Sequence, residues 1–131
     1  MREKNLNYDK QKIYKSFQDK KYVKISKISK SILKAFANDK EIYKIIIFSE
    51  IYEKNIDKAL VVSEKLLLLK DDAETNYIHG NVLKLKNKFE EAIIFYKKAI
   101  ELKHDFFEAY NNLGSSQKKI GLINEAIKNY N

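Results

Sequence analysis

Cysteine, proline and tryptophan are absent from this 131-residue chain. Without cysteine there is no disulfide framework, no thiolate zinc site and no cysteine nucleophile. Three glycines and no proline leave too few turn-forming residues for a β-sandwich or barrel and favour helices. Two histidines, His79 and His104, are the only imidazoles, too few for a metal cluster. No Gly-rich phosphate loop, G-x-S-x-G elbow or H-E-x-x-H motif occurs. No catalytic residue, metal or cofactor is therefore expected. The longest apolar runs, residues 45–48 and 66–69, are far too short to cross a bilayer. The residues after Met1 lead into no apolar stretch of the signal-peptide kind, so the chain reads as cytoplasmic.

What the chain does have is charge and apolar residues in quantity: 34% charged, 44% hydrophobic, with a net charge of +8. That apolar content is enough for a packed core. The charge is lopsided. Residues 1–40 hold 12 Lys/Arg against 4 Asp/Glu, and residues 41–131 hold 14 of each. A basic segment can be an electrostatic footprint for nucleic acid or anionic lipid. Here lysine (25), isoleucine (17) and asparagine (12) together point instead to coding bias. Arginine, the residue that duplex readout favours, occurs only at Arg2. Among the aromatics between the first lysines, Phe17 and Tyr22 fall at helical spacing with Ile13, Ile25, Ile28/Ser29 and Ile32 and read as buried faces. Nucleic acid and membrane are accordingly not expected as partners.

The chain repeats itself. Gly80 and Gly114 are 34 residues apart, as are Phe89 and Ile123, Ala92 and Ala126, and Tyr96 and Tyr130. Stepping back by 33 and then 34 residues, Ala92 maps to Ala59 and Ile25, Tyr96 to Ser63 and Ser29, Phe89 to Ile56 and Tyr22, and Ala99 to Leu66 and Ile32. Within 89–102 the apolar residues recur at three- and four-residue steps, an amphipathic helix. Asn87 with Glu90 is expected to cap its start, and Asn55 the equivalent helix one repeat earlier. Gly in a helix interior costs about 1 kcal/mol relative to Ala, so Gly80 and Gly114 at one phase imply close helix packing. Gly121 is expected to end the 108–120 helix as a left-handed cap. The acidic pairs Asp71-Asp72 and Glu90-Glu91 suit helix starts rather than acid–base catalysis, and both histidines read as structural.

Gly and Ala at this phase, with Tyr110-x2-Leu113-Gly114 and Ala92-x3-Tyr96, resemble the tetratricopeptide repeat, an aromatic-x2-Leu-Gly-x2-Tyr stretch followed by Ala-x3-aromatic. The units fall at about 6–39, 40–72, 73–106 and an incomplete 107–131. His104 stands where the family has proline, and Ile47 where it prefers a small residue. The resemblance implies an all-α, right-handed superhelical solenoid of antiparallel helix pairs, one array over 1–131, acting as a non-enzymatic protein–protein interaction module or scaffold.

In such arrays the first helix of each pair lines a concave groove for a peptide or protein segment. By phase, the groove candidates here are Lys44 and Phe48, then Tyr77, Asn81 and Lys84, with Glu74, and then Asn111, Asn112, Ser115 and Lys118, with Glu108. Asn can donate and accept at once, which suits a peptide backbone. The string 109–114 looks like arrays that precede O-linked N-acetylglucosamine transferase-type glycosyltransferases, although only Asn112 occupies the asparagine-ladder phase. One alternative is thus the substrate-presenting part of a longer glycosyltransferase or sulfotransferase. Another is nucleic-acid or anionic-lipid binding by the basic first forty residues. The carboxylate clamp that captures chaperone C-termini is not matched, since Phe48, Glu74 and Ile78 stand where Asn and basic residues are needed. Finally, Ile120, Leu122, Ile123, Ala126, Ile127 and Tyr130 have no successor helix to pack on. More chain is expected after Asn131 in the native gene, and self-association through this uncapped end, or fraying from about residue 120 onward, is expected without it.

Overall fold

The computed structural model describes residues 8–130, with the side chains of 129 and 130 outside the description. All regular structure among these residues is helical: α1 Lys10–Gln18, α2 Tyr22–Lys27, α3 Ser29–Ala35, α4 Lys40–Tyr52, α5 Ile56–Leu69, α6 Ala73–Leu85, α7 Phe89–Leu102 and α8 Phe107–Tyr130. None of them is long and apolar enough to cross a membrane. The chain divides into two compact bodies, one ending at Leu69 and the other beginning at Lys70.

The N-terminal body packs α4 against α5 and against α2, with α1 on α2. Its core is Ile13, Tyr22, Ile25, Ile32, Ile42, Ile46, Ile47, Ala59, Val62 and Leu66. Aspartates start two of its helices: Asp9 accepts from the backbone N–H of Gln11, and Asp39 from those of Glu41 and Ile42. Asp39 also pairs with Lys10. Its partial burial opposes ionisation, but the Lys10 ammonium and the two backbone donors outweigh that and hold its carboxyl below the usual range.

The C-terminal body packs α6 against α7 and α7 against α8. Ala92, Tyr96 and Ala99 of α7 are fully buried, and Ala99 clusters with Phe106 and Ala109. A capping box opens α6: Thr75 N–H donates to Asp72 Oδ1 at 2.9 Å and Asp72 N–H to Thr75 Oγ1 at 3.0 Å. Asp72 is thus the cap expected of it. Its neighbour Asp71 does something else, accepting from Lys98 Nζ at 2.8 Å and Asn76 Nδ2 at 2.6 Å.

The 33/34-residue phase appears in the burial itself. Ile25, Ala59 and Ala92 are all buried, as are Ser29, Ser63 and Tyr96, and Ile32, Leu66 and Ala99. It appears again in the turns. Lys20, Lys54 and Asn87, spaced by 34 and 33, are the three non-glycine residues with positive φ among the described residues, at 59°, 66° and 62°. Each closes its helix with the same two backbone bonds. Lys20 N–H donates to Phe17 O and Lys21 N–H to Ser16 O, at 3.0 and 2.9 Å. The pairs are Lys54→Ile51 and Asn55→Glu50 in the second turn, and Asn87→Lys84 and Lys88→Leu83 in the third. This is the Schellman closure, which satisfies two orphan carbonyls by placing one residue in the left-handed region.

Three sequence-based expectations are corrected here, at Asn87, Gly121 and Gly114. Asn87 is not the cap of α7. It is the left-handed residue of the turn, a conformation asparagine tolerates, and Lys88 precedes α7 with no side-chain cap bond. Asn55 opens α5 as expected, its carbonyl accepting from Ala59 N–H at 3.0 Å, while its Nδ2 donates sideways to Glu50 Oε1 at 3.1 Å and Ser26 Oγ at 3.3 Å. Gly121 shares the phase of the three turn residues yet does not turn. No glycine has positive φ, and α8 runs unbroken through it to Tyr130. A continuous helix satisfies its own i→i−4 bonds without a turn, and Leu122, Ile123 and Ile127 beyond it stay 56%, 48% and 54% exposed. Gly80 meets the expected packing demand, since a Cβ there would lie 2.8 Å from Tyr96 Cε1; at Gly114 a Cβ would meet nothing within 4 Å.

Candidate functional site

Five of the nine groove candidates converge between α6 and α8. The residues that bring them together are the small and buried ones beneath. Gly80 lets the ring of Tyr96 lie flat against α6, and that ring delivers its hydroxyl to Asn81 Oδ1 at 2.7 Å. The same oxygen accepts from Asn112 Nδ2 at 2.8 Å, and Asn112 Nδ2 also lies 3.4 Å from the Tyr77 hydroxyl. One turn further along, Lys84 Nζ donates to Ser115 Oγ at 2.7 Å, and Ser115 donates to Asn112 O at 3.1 Å. Burial, with Tyr77 alongside, pushes the Tyr96 phenol well above its ordinary range, against the opposing amide of Asn112. The shift favours the neutral hydroxyl that donates to Asn81.

Tyr77 is held on its other side by Phe106, ring centroids 4.8 Å apart, and by Tyr96 at 6.1 Å. Buried aromatics and a polar network this closely tied make a pre-formed surface, because every hydrogen-bonding member has a fixed direction. A cleft of about 410 Å³ opens on it, lined by Asn81, Lys84, Leu85, Asn112 and Lys119 together with Asn87 and Phe89 from the α6–α7 turn. It combines amides, two ammonium groups and apolar surface. Asn111 and Lys118, the other candidates on α8, are exposed.

Lys44 and Phe48 lie on α4 in the N-terminal body. Lys44 Nζ is 3.4 Å from Glu41 Oε2. Phe48 belongs to an aromatic cluster, with Phe17 at 5.4 Å and Tyr22 at 5.5 Å between ring centroids, while Tyr22 stacks on Tyr52 at 4.4 Å. Of the residues set aside as structural, His79 is buried with its ring edge-on to Phe95 at 4.5 Å, and His104 lies in the turn before α8.

Two features escape the sequence reading. The Tyr96 hydroxyl anchors the α6–α8 network by donating to Asn81 Oδ1, which also accepts from Asn112, although the repeat phase marks Tyr96 only as packing. Glu50 is 1% exposed and accepts from Ser26 Oγ at 2.6 Å, Ser29 Oγ at 3.2 Å and Asn55. The signal for it was there: one repeat on from Glu50 stands Leu83, a buried core residue.

The comparisons with known proteins fit this architecture. Residues 80–121 match the family model of the TPR repeat. No curated protein matches the chain. Among solved structures, MamA is 24% identical over 90% of this chain with a TM-score of 0.74, and the chain spans 65% of that protein's length. The first TPR of Spaghetti (RPAP3), solved bound to the HSP90 peptide SRMEEVD, is 21% identical over 86% of this chain and 90% of its own, with a TM-score of 0.76. The Arabidopsis OM64 TPR domain is 14% identical over 83% of this chain and 91% of its own, with a TM-score of 0.73. The tetratricopeptide repeat is thus supported by sequence over residues 80–121, and the all-helical fold of the chain is the one these solved TPR domains share.

Proposed function

We propose that this protein is a protein-interaction module, and that its C-terminal body binds an extended peptide segment along the α6–α8 face. The observation that carries this is the fixed amide pair: Asn81 and Asn112, locked by Tyr96, expose amide edges at a cleft that also offers Lys84, Lys119, Leu85 and Phe89. Amides that can both donate and accept hold a main chain without reading its side chains, and apolar surface beside them supplies the burial. The fold shared with a TPR domain that holds a peptide supports the reading. Peptides selected on the intact protein from a random displayed library test it. Asn112→Ala and Lys119→Ala should each weaken the selected peptides at least about fivefold, the scale of a lost hydrogen bond or charge contact. Selected peptides indifferent to both substitutions, and to Lys84→Ala, would place the binding surface elsewhere.

A second reading attaches to the N-terminal body, which carries 16 basic and 9 acidic residues against 10 and 9 in the other. A cleft of about 590 Å³ is lined there by Lys20, Lys21, Lys24 and Lys27 around Tyr22, Val23 and Tyr52, with Glu53 the single carboxylate. Tyr52 is 59% exposed. Cations around an open aromatic face are the elements of a stacking site for single-stranded nucleic acid. Binding of a labelled oligouridine that falls with salt, and falls again in Tyr52→Ala and in Lys24→Gln/Lys27→Gln, supports this reading. Retention on anionic vesicles but not on the oligonucleotide rejects it.

A further inference from the structure

The aromatic cluster of the N-terminal body is a stack with one open end. Phe17 and Phe48 pack on Tyr22 with ring centroids 5.7 and 5.5 Å away, and Tyr52 follows at 4.4 Å. Tyr22 is 8% exposed, whereas Tyr52 is 59% exposed, at the cleft that Lys20, Lys21, Lys24 and Lys27 surround. The next residue, Glu53, brings the single carboxylate to that cleft. Its backbone is fixed. Glu53 N–H donates to Ser49 O at 3.0 Å, and the closing bonds of the left-handed turn, Lys54→Ile51 and Asn55→Glu50, follow directly. Among the described residues, no ion pair engages the Glu53 carboxylate or those four ammonium groups.

We propose that this cleft selects guanine: the base stacks on Tyr52, and the Glu53 carboxylate accepts from its N1–H and its 2-amino group. The proposal rests on the stacking reading of the same cleft and names the base which that reading leaves open. A stacking face by itself is sequence-tolerant, because every base has a π-face. The bases differ at their edges, and an ionised carboxylate only accepts. Guanine sets two donors side by side on its Watson–Crick edge. Adenine and cytosine set one amino group beside a ring-nitrogen acceptor, and uracil sets one N–H between two carbonyl oxygens. Each of these three turns a lone pair towards the carboxylate. The guanine pair is bidentate and charge-assisted, and so stronger and more directional than a single neutral bond. In a duplex that edge is already paired, so the site requires a single strand. The lysines match the rest of the strand. Lys24 and Lys27, three residues apart on α2, lie on one side of that helix. With Lys20 and Lys21 they outnumber the carboxylate, so backbone phosphates are attracted while Glu53 stays ionised.

The test is fluorescence anisotropy of labelled pentaribonucleotides that differ only in the middle base, on the intact protein at one salt concentration and again at a higher one. UUGUU should bind at least about fivefold more tightly than UUAUU, UUCUU and UUUUU, the scale of one hydrogen bond to a charged group. Inosine in place of the guanine removes only the 2-amino group. It should abolish most of the advantage with no change to the protein. Glu53→Gln should cut the ratio of UUGUU to UUAUU affinity at least about fivefold, because the glutamine amide sets a donor beside its acceptor. Salt-sensitive binding that is equal for all pentamers leaves the stacking reading standing and overturns the guanine assignment. Pentamers that fail to bind, or bind without regard to salt, overturn both. A guanine advantage that survives inosine or Glu53→Gln overturns the pairing with Glu53. GMP binding as tightly as UUGUU also overturns the proposal, because the ligand would then be a free nucleotide rather than a strand.

Discussion

Where α6 meets α7, the C-terminal body sets Gly80 beneath the ring of Tyr96. At the corresponding positions the N-terminal body has Ile47 with Ser63, and one repeat earlier Ile13 with Ser29, all of them buried. The large residue has moved to the other helix. Repeats with little identity can share a phase because close packing constrains the summed volume at a crossing rather than the residue on either side. The exchange has a functional consequence. With the large residue on α7 and ending in a hydroxyl, the C-terminal body gains a donor that organises Asn81 and Asn112. With isoleucine in the large position, the N-terminal body carries the opposing hydroxyl on a short serine: Ser29 donates to Glu50 Oε2 and Ser63 to Leu60 O in its own helix. Its buried polar centre is instead Glu50, held by Ser26, Ser29 and Asn55.

This comparison can be broken most severely at the crossing itself. Tyr96→Ser should destabilise the C-terminal body by about 3–5 kcal/mol, the range for removing a buried ring, and Gly80→Ile should strain it against the same ring by about 1–3 kcal/mol. The double variant Gly80→Ile/Tyr96→Ser rebuilds the pair found at Ile47 and Ser63. It should recover more than about 1 kcal/mol of the summed loss in urea unfolding followed by amide exchange, a coupling typical of side chains in contact. Strict additivity would mean that the two positions do not share volume. The same measurement on Asn81 and Asn112 amides should show the site loosening in Tyr96→Phe, which keeps the ring and removes the hydroxyl.

The next effect belongs to the other body. Glu50→Ala leaves the hydroxyls of Ser26 and Ser29 and the amide of Asn55 without their acceptor, and should cost about 3 kcal/mol. Amide exchange should rise in α2 and α4 while α7 is unaffected. Equal loosening of α7 would show that the two bodies unfold as one. Smaller again, Ala92→Leu should cost about 1–3 kcal/mol, since Ala92 is fully buried, whereas Lys97→Leu on the exposed side of α7 should stay within about 0.5 kcal/mol. Equal shifts in thermal midpoint would contradict the phase.

The smallest effect is acid dependence, and it should appear in both bodies. Asp39 and Asp71 have carboxyls held below their usual range, Asp71 by Lys98 and then Asn76. A carboxyl lowered on folding adds stability at pH values above its unfolded pKa of about 4, and that contribution is lost as pH falls through the folded value. Thermal midpoints should therefore be flat from pH 7 to about pH 5 and decline below about pH 4. Asp71→Asn should flatten the decline read from α6 and α7, and leave that read from α4.

Periodicity made much of this legible in advance. Ala59, Ala92, Leu66 and Ala99 are buried because a side chain's place on a helix follows from its position in the chain, and the repeat copies that position every 33 or 34 residues. Asp72 could be read as a cap because capping is local, made within one turn. Asn87 was misread because asparagine has several local uses, capping, left-handed turning and lateral bonding among them, and only the neighbouring helix selects one. Five of the groove candidates do meet. That Asn81, Asn112 and Tyr96 share one hydrogen-bonding centre, across 15 and 31 residues of chain, depends on how closely α6, α7 and α8 approach.

Sequence alone determined the helices, their phase and their buried faces, since these follow from spacing along the chain and from side-chain size. Tertiary structure decided which of two locally acceptable conformations each junction adopts. Lys20, Lys54 and Asn87 turn because a returning helix is packed beyond each of them. Gly121, the residue best suited to turn, stays helical in α8 because a glycine permits a left-handed turn without requiring one, and the free energy that selects it comes from apolar contacts made at a distance.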